Sequence, residues 1–320
     1  MHLVVKSVIA GLLATFLLIP SVGGAPLVNP LDTPRKPVVV PVQTIDTPGR
    51  TGQSGIISMK VGRSAPITVM VDTGSVGLRL WDEKPTGMQG SVANAYMTLG
   101  GIRTISRVSY QYIDTTSSYI QQWKDQGVDG TLGIGTGKGA LTNPLMSLPN
   151  HLARSWSVHF SRDTDERAGQ LVLGAIAPHK AILNFQLTRL TGSVGEASLW
   201  DDQAAQGCWT FSSPRTFCVP THFDSRFTTV GIKGRDFSRI PQNSEGELRS
   251  GTRVTLAARG NAYIGARFTA GKEGSRNLAR VTPSGRSEIN TGNSFYFSHV
   301  VTYNVTTGDI YLHEPTQKER

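Results

Sequence analysis

Cysteine is nearly missing from this chain: its 320 residues include only Cys208 and Cys218. A metal site built on that pair would need His or carboxylate partners at ligand spacing, and none accompany it. The seven histidines are dispersed. His151, His159, His179, His222, His299 and His313 read as surface or hydrogen-bonded residues, and there is no His-Glu-x-x-His zinc motif. Charged residues are sparse at 17%, and long charged helices are missing with them. A serine-hydrolase elbow is absent, because Thr73 stands two positions before Ser75 where Gly is required. A P-loop is absent too. In the glycine-rich run Val128 to Leu141, Gly137-Lys138 is followed by Gly139 instead of Ser or Thr, and Asn143-Pro144 interrupts any helix behind it. Beyond Ser7 to Leu18, no run is apolar enough to suggest a membrane span.

The chain does have glycine (35 residues), proline (17 residues) and many β-branched positions. This balance predicts an all-β protein of strands and turns, large enough for two domains or one big β domain. The formal net charge is +9. The basic residues are scattered singly without interleaved aromatics, which predicts a solvated surface and no nucleic-acid partner. Trp81, Trp123, Trp156 and Trp200 read as core or cleft-wall aromatics.

The N-terminus has the three-part layout of a secretory signal peptide: Lys6, the apolar run Ser7 to Leu18, then Pro20 and small residues up to Ala25. The expectation is cleavage after residue 25 and an exported protein, secreted or associated with the cell envelope, with no membrane span in the mature chain. In that compartment Cys208 and Cys218 are expected to form one disulfide around a small loop. Asn304-Val305-Thr306 is a sequon that matters only where the host glycosylates exported proteins. Residues 26–48 are rich in Pro and read as an extended segment that adds an edge strand.

The most informative stretch is Val69 to Trp81, VMVDTGSVGLRLW. A short apolar run reads as a buried strand, and Gly74 marks a tight turn directly after it. Asp72 is therefore held at a buried spot, where an unpaired carboxylate is expensive and is kept for a purpose. Ile56 to Val61 and Ile67 to Val71 read as a hairpin about Gly62-Arg63-Ser64, and Met97 to Ile105 as another.

The run Asp72-Thr73-Gly74-Ser75 between apolar flanks resembles the catalytic motif of pepsin-like aspartic proteases. Further residues carry the resemblance in the same order. Asp129-Gly130-Thr131-Leu132-Gly133-Ile134-Gly135 is similar to the family's loop that threads beside the catalytic strand, where Gly lets two backbones cross. Gln170 to Gly174 and Leu183-Asn184-Phe185 match the end of the family's first half. In the second half, Cys218 to Ile232 contains Phe223-Asp224-Ser225, and Ile289-Asn290-Thr291-Gly292 resembles the second threading loop. Phe295 to Leu312 would be a closing hairpin turning at Thr307-Gly308. The Cys208-Trp209 start and the Cys-x-Pro-Thr-x-Phe-Asp run look most like the exported aspartic protease domains of mycobacterial PE proteins. The resemblance spans about Val40 to Leu312.

This resemblance implies a bilobal fold with a cleft between related lobes, residues 49–187 and 188–320, each contributing one Asp. It implies an aspartic endopeptidase with the pair Asp72 and Asp224, no cofactor, no metal, a polypeptide substrate and a monomeric chain. Thr73 and Ser225 would brace the two loops, the Gly74 N–H would face a carboxylate, and Ser75 would bind the outer oxygen of Asp72. Two departures stand out. Arg226 occupies the second Gly position; an inward Arg226 would make the shared proton harder to keep, so that activity falls or shifts to lower pH, whereas an outward one would let the pair survive. The interval Asp82 to Ala95, where the family carries its covering hairpin, is short and lacks the family's Tyr. The alternative is thus a catalytically impaired member that binds a protein or carbohydrate in the cleft; a third reading is an exported structural or adhesive β protein.

Overall fold

The computed structural model describes residues 36–49, 52–81, 90–113, 117–161, 168–175, 178, 181–203, 205–213, 215–259, 265–271 and 278–316. Residues 1–25, read above as a signal peptide, and most of the short interval after Trp81, residues 82–89, lie outside them. The described chain is predominantly β, in a 14-stranded, a seven-stranded and a two-stranded sheet.

The larger sheet is centred on the hairpin Gln53–Val61 and Ile67–Asp72, which pair antiparallel as the apolar runs predict. Ile67–Asp72 then lies parallel to Gly130–Ile134. That strand is antiparallel to Val76–Trp81, which in turn runs parallel to Val108–Ile113. Every residue of Gly130–Ile134 is buried, as expected for a strand flanked on both edges and covered on both faces. The glycine-rich run that carries no P-loop therefore forms a central strand. Gly133 is required there, because an added Cβ would lie 2.7 Å from the Val76 backbone nitrogen.

The smaller sheet repeats this plan. Gln206–Phe211 and Thr216–His222 pair antiparallel. Thr216–His222 lies parallel to Glu288–Asn290, which is antiparallel to Val230–Lys233, which runs parallel to Ala279–Thr282. The same sequence of parallel, antiparallel and parallel pairings thus occurs twice. In each copy a two-sided central strand follows an acid-bearing turn, at Asp72 and at Asp224. Cys208 and Cys218 face each other in the Gln206–Phe211/Thr216–His222 ladder and form a disulfide.

Two expectations need correction. The Pro-rich segment does not add an edge strand. Val38–Asp46 pairs with Gly169–Leu173 through its first half and with Gln53–Val61 through its second. Pro41 is tolerated within it, and the alternating Val40 and Val42 point into the core. The closing hairpin begins at Val300, not Phe295: Ser294–Phe297 is a buried 3-10 turn. The hairpin strands Val300–Asn304 and Asp309–His313 do not join the smaller sheet. They pair with Ser155–His159 and Leu183–Gln186, within the larger one.

One hydrophobic core runs through both repeats, with Trp156, Trp209, Tyr296 and Tyr303 fully buried in it. Phe185 against Phe223 (5.2 Å) and Trp209 against Phe295 (6.0 Å) are representative contacts. Trp81 and Trp123 pack together in a satellite cluster. All four tryptophans singled out above are buried. Among the described residues no helix is long and apolar enough to cross a membrane.

Candidate active site

Asp72 ends the strand Ile67–Asp72, and Asp224 follows Thr216–His222 by two residues. The two acid turns meet. Thr73 and Ser225, 152 positions apart, exchange hydrogen bonds: the Thr73 N–H donates to Ser225 Oγ at 3.0 Å, and the Ser225 N–H to Thr73 Oγ1 at 2.9 Å. Each hydroxyl then donates across the junction to the carbonyl just before the opposite acid. Thr73 Oγ1 reaches Phe223 O and Ser225 Oγ reaches Val71 O, both at 2.8 Å. All four groups are buried, so these polar atoms have no solvent alternative.

Two buried tyrosines extend the brace. The hydroxyls of Tyr296 and Thr73 lie 2.7 Å apart, as do those of Tyr296 and Tyr303. Burial holds both phenols neutral, raising Tyr303 and Tyr296 well above the ordinary tyrosine value.

Gly74 is the hinge of the geometry. Its N–H donates to Asp72 Oδ1 at 2.9 Å. A Cβ added on it would stand 2.6 Å from Asp224 Cγ. The carboxyl of Asp224 therefore packs directly on the Gly74 backbone, one turn from that of Asp72, and only glycine leaves room. Ser75 Oγ donates to Asp72 Oδ2 at 2.8 Å. Every candidate of the first turn thus stands beside an acid: Thr73 at the junction, Gly74 and Ser75 on Asp72.

Asp224 is held differently. The backbone N–H groups of Arg226 and Phe227 donate to Oδ1 at 3.0 and 3.3 Å. Oδ2 receives the side-chain amide of Asn290 at 2.8 Å. The hydroxyl that Ser75 supplies to Asp72 has no equivalent here, because the residue three beyond Asp224 is Phe227, which is 47% exposed. Sequence reasoning placed Asn290 in the threading strand but gave it no role. The readable signal was Phe227: an apolar residue at the hydroxyl position leaves one carboxylate oxygen wanting another donor.

Arg226 turns inward. Its guanidinium lies 3.8 Å from Asp72 Oδ2, opposite its own neighbour, with the side chain 38% exposed. Its backbone N–H still serves Asp224, so the missing glycine does not cost that hydrogen bond.

Burial pushes the Asp72 carboxyl up to about 6, and the negative charge of Asp224 pushes it the same way; Arg226, the Ser75 hydroxyl and the Gly74 N–H oppose the rise. A carboxyl poised there exchanges a proton readily between mildly acidic and neutral pH. His222, one strand position from the acid turn, is held below its ordinary value mainly by burial, with Lys233 adding to the effect. A further carboxyl, Asp202, turns onto the loop beyond the threading strand, where Thr136 N–H donates to its Oδ2 at 2.7 Å; burial raises it to about 6. Among the described residues, no three His, Cys, Asp or Glu side chains gather as metal ligands would. What the arrangement offers chemically is two adjacent carboxyls with different hydrogen-bond partners and a nearby, half-exposed cation. No family model and no curated protein sequence matches this chain.

Proposed function

We propose that this protein is an aspartic endopeptidase with a bilobal, pepsin-like fold, in which Asp72 and Asp224 jointly activate a water molecule. The carrying observation is the reciprocal junction of Thr73 and Ser225, which holds two acid turns from distant parts of the chain face to face. The doubled strand plan around those turns supports the same reading.

Two close carboxyls share one proton, as is established for aspartic proteases. The ionised member takes a proton from water as it attacks the peptide carbonyl carbon. The protonated member donates to the carbonyl oxygen, so no covalent enzyme intermediate forms. An extended polypeptide, bound through backbone hydrogen bonds with pockets for alternate side chains, is the substrate such a site takes. In this reading residues 1–25 direct export, and the chain works as a monomer outside the cell or at its envelope.

A second reading has one observation in its favour. The Arg226 guanidinium beside Asp72 favours the charged carboxylate and opposes proton sharing. On that reading the cleft binds a protein or carbohydrate without cutting it. Incubation of the purified protein with an unfolded polypeptide from pH 3 to 7, with and without a peptide bearing a statine-like hydroxyl, separates the two. Cleavage that is abolished by the inhibitor and by Asp72→Asn supports the protease. Inhibitor binding with no cleavage at any pH supports the non-catalytic cleft.

A further inference from the structure

We propose that Asn290 is a positioning residue that commits Asp224 to the ionised role and leaves the shared proton on Asp72. The inference rests on the reading of Asp72 and Asp224 as a working pair.

The direction of one amide carries it. Asn290 Oδ1 accepts the N–H of Gly292 at 2.8 Å, two residues along its own chain. That bond fixes the orientation of the amide, so the group facing Asp224 Oδ2 at 2.8 Å is the Nδ2 donor. An NH2 group can donate to a carboxylate oxygen but cannot accept from a carboxylic acid. Protonation of Asp224 at Oδ2 would weaken that bond, because the hydroxyl oxygen of a carboxylic acid is a poorer acceptor than a carboxylate oxygen. The other oxygen, Oδ1, already faces the N–H groups of Arg226 and Phe227. Asp224 therefore meets three donors, and none of them can reverse its role.

Asp72 is served otherwise. Its Oδ1 has the Gly74 N–H, but its Oδ2 faces the Ser75 hydroxyl. A hydroxyl donates to a carboxylate or, by rotating, accepts from a carboxylic acid. The site thus tolerates a proton on Asp72 and resists one on Asp224. The asymmetry follows from two sequence changes relative to the first turn: Phe227 where Ser75 has its hydroxyl, and Asn290 filling the vacated position from a strand 66 residues away.

Other charged and titratable groups facing Asp224 do not reverse this. Asp72 itself repels a second negative charge, and the neutral Tyr296 and Tyr303 lie behind the junction. His222, on the preceding strand, is half-buried and held toward its neutral form. The Arg226 guanidinium favours a charge on Asp72. It acts at 3.8 Å from a partly exposed position, where solvent and salt screen it, and it makes no tight hydrogen-bonded pair. The upward displacement of Asp72 to about 6 agrees with a proton residing there.

The discriminating substitution is Asn290→Asp. It keeps an oxygen for the Gly292 N–H and has nearly the same shape, but it replaces the donor to Asp224 by a second acceptor. Carbon-13 titration of aspartate-labelled full-length protein reads the acid pair directly, with Asp72→Asn and Asp224→Asn used to assign it. The lower of the pair's two apparent pKa values should rise by more than about one unit, a tenfold change in proton affinity. Asn290→Leu, which removes the donor without adding a charge, should move it the same way by less. In a peptide-cleavage assay the acid limb of kcat should shift upward with it, while KM changes less than about threefold. Asn290→Leu combined with Phe227→Ser should recover kcat, since the new hydroxyl mirrors Ser75, without recovering the original separation of the two pKa values. An unmoved lower pKa in folded Asn290→Asp and Asn290→Leu proteins would overturn the inference. The titration needs no turnover. Predicted shifts in a wild-type protein that cuts no peptide would uphold the role of Asn290 and refute the protease reading alone.

Discussion

The hydroxyl of Ser225 accepts the backbone N–H of Thr73, and the hydroxyl of Thr73 accepts the backbone N–H of Ser225. Each hydroxyl also donates to the carbonyl preceding the other acid. Four hydrogen bonds therefore close a ring between two strand ends. Replacing either residue by Ala leaves buried donors and acceptors unpaired on the opposite turn. Thr73→Ala or Ser225→Ala should each lower stability by about 2–4 kcal/mol in urea unfolding. The double variant should lose less than the sum by roughly 1–2 kcal/mol, since both break one network. Strict additivity would show that the two residues act independently.

Gly74 has no space for a side chain, because a Cβ would stand 2.6 Å from Asp224 Cγ. Gly74→Ala should therefore displace the Asp224 carboxyl. The expected result is a folded protein, destabilised by about 1–3 kcal/mol, with cleavage reduced by roughly a hundredfold or more through misplacement of the pair. Wild-type cleavage by this variant would mean that the acids need not be so close.

The guanidinium of Arg226 stabilises the ionised form of Asp72. Its removal raises the Asp72 pKa further above 6, and the singly protonated pair then persists to higher pH. In Arg226→Gln the alkaline limb of the cleavage profile should move upward by about half to one pH unit, measured with a neutral peptide. A limb that stays in place or moves downward would separate the cation from the pair.

Much of this site was legible locally, and what was missed lies at long range. Asp72-Thr73-Gly74-Ser75 is readable because motif and partners fall within four residues, bounded by a buried strand. Ser225 is readable by analogy with Thr73. Asn290 and Tyr296 were not, because each reaches the site from 66 or more positions away, and no spacing rule connects them. The side of the pair on which Arg226 acts was equally hidden: its backbone serves Asp224 while its side chain crosses to Asp72. The strand Val38–Asp46 was misplaced for a different reason. Prolines mark an edge or irregular strand when the pairing on both sides is continuous. Here the partner changes from Gly169–Leu173 to Gln53–Val61 between Val42 and Gln43, and Pro41 lies in the half paired on one side, so the missing N–H is accommodated inside the sheet.

Asp202 titrates at about 6 in the folded chain, above the ordinary value of 3.8. A carboxyl raised on folding binds its proton more tightly in the native state. Its ionised form therefore weakens the fold above that pH, and the penalty disappears as pH falls through about 6 toward 4. Asn at this position keeps an oxygen for the Thr136 N–H. Asp202→Asn should raise stability by roughly 1–3 kcal/mol at pH 7.5, a few degrees in melting temperature, and have little effect at pH 4. Calorimetry at the two pH values tests this, and an equal shift at both would contradict it.

The most direct test of the account is the kinetics of Asp72→Asn, Asp224→Asn and the double variant on one peptide at one acidic pH. If the two carboxyls work on a single water molecule, each single change should lower kcat by roughly a thousandfold or more, and the double variant should be no slower than the slower single one. Retention of more than about a tenth of the wild-type rate by either single variant, or fully multiplicative losses, would contradict it.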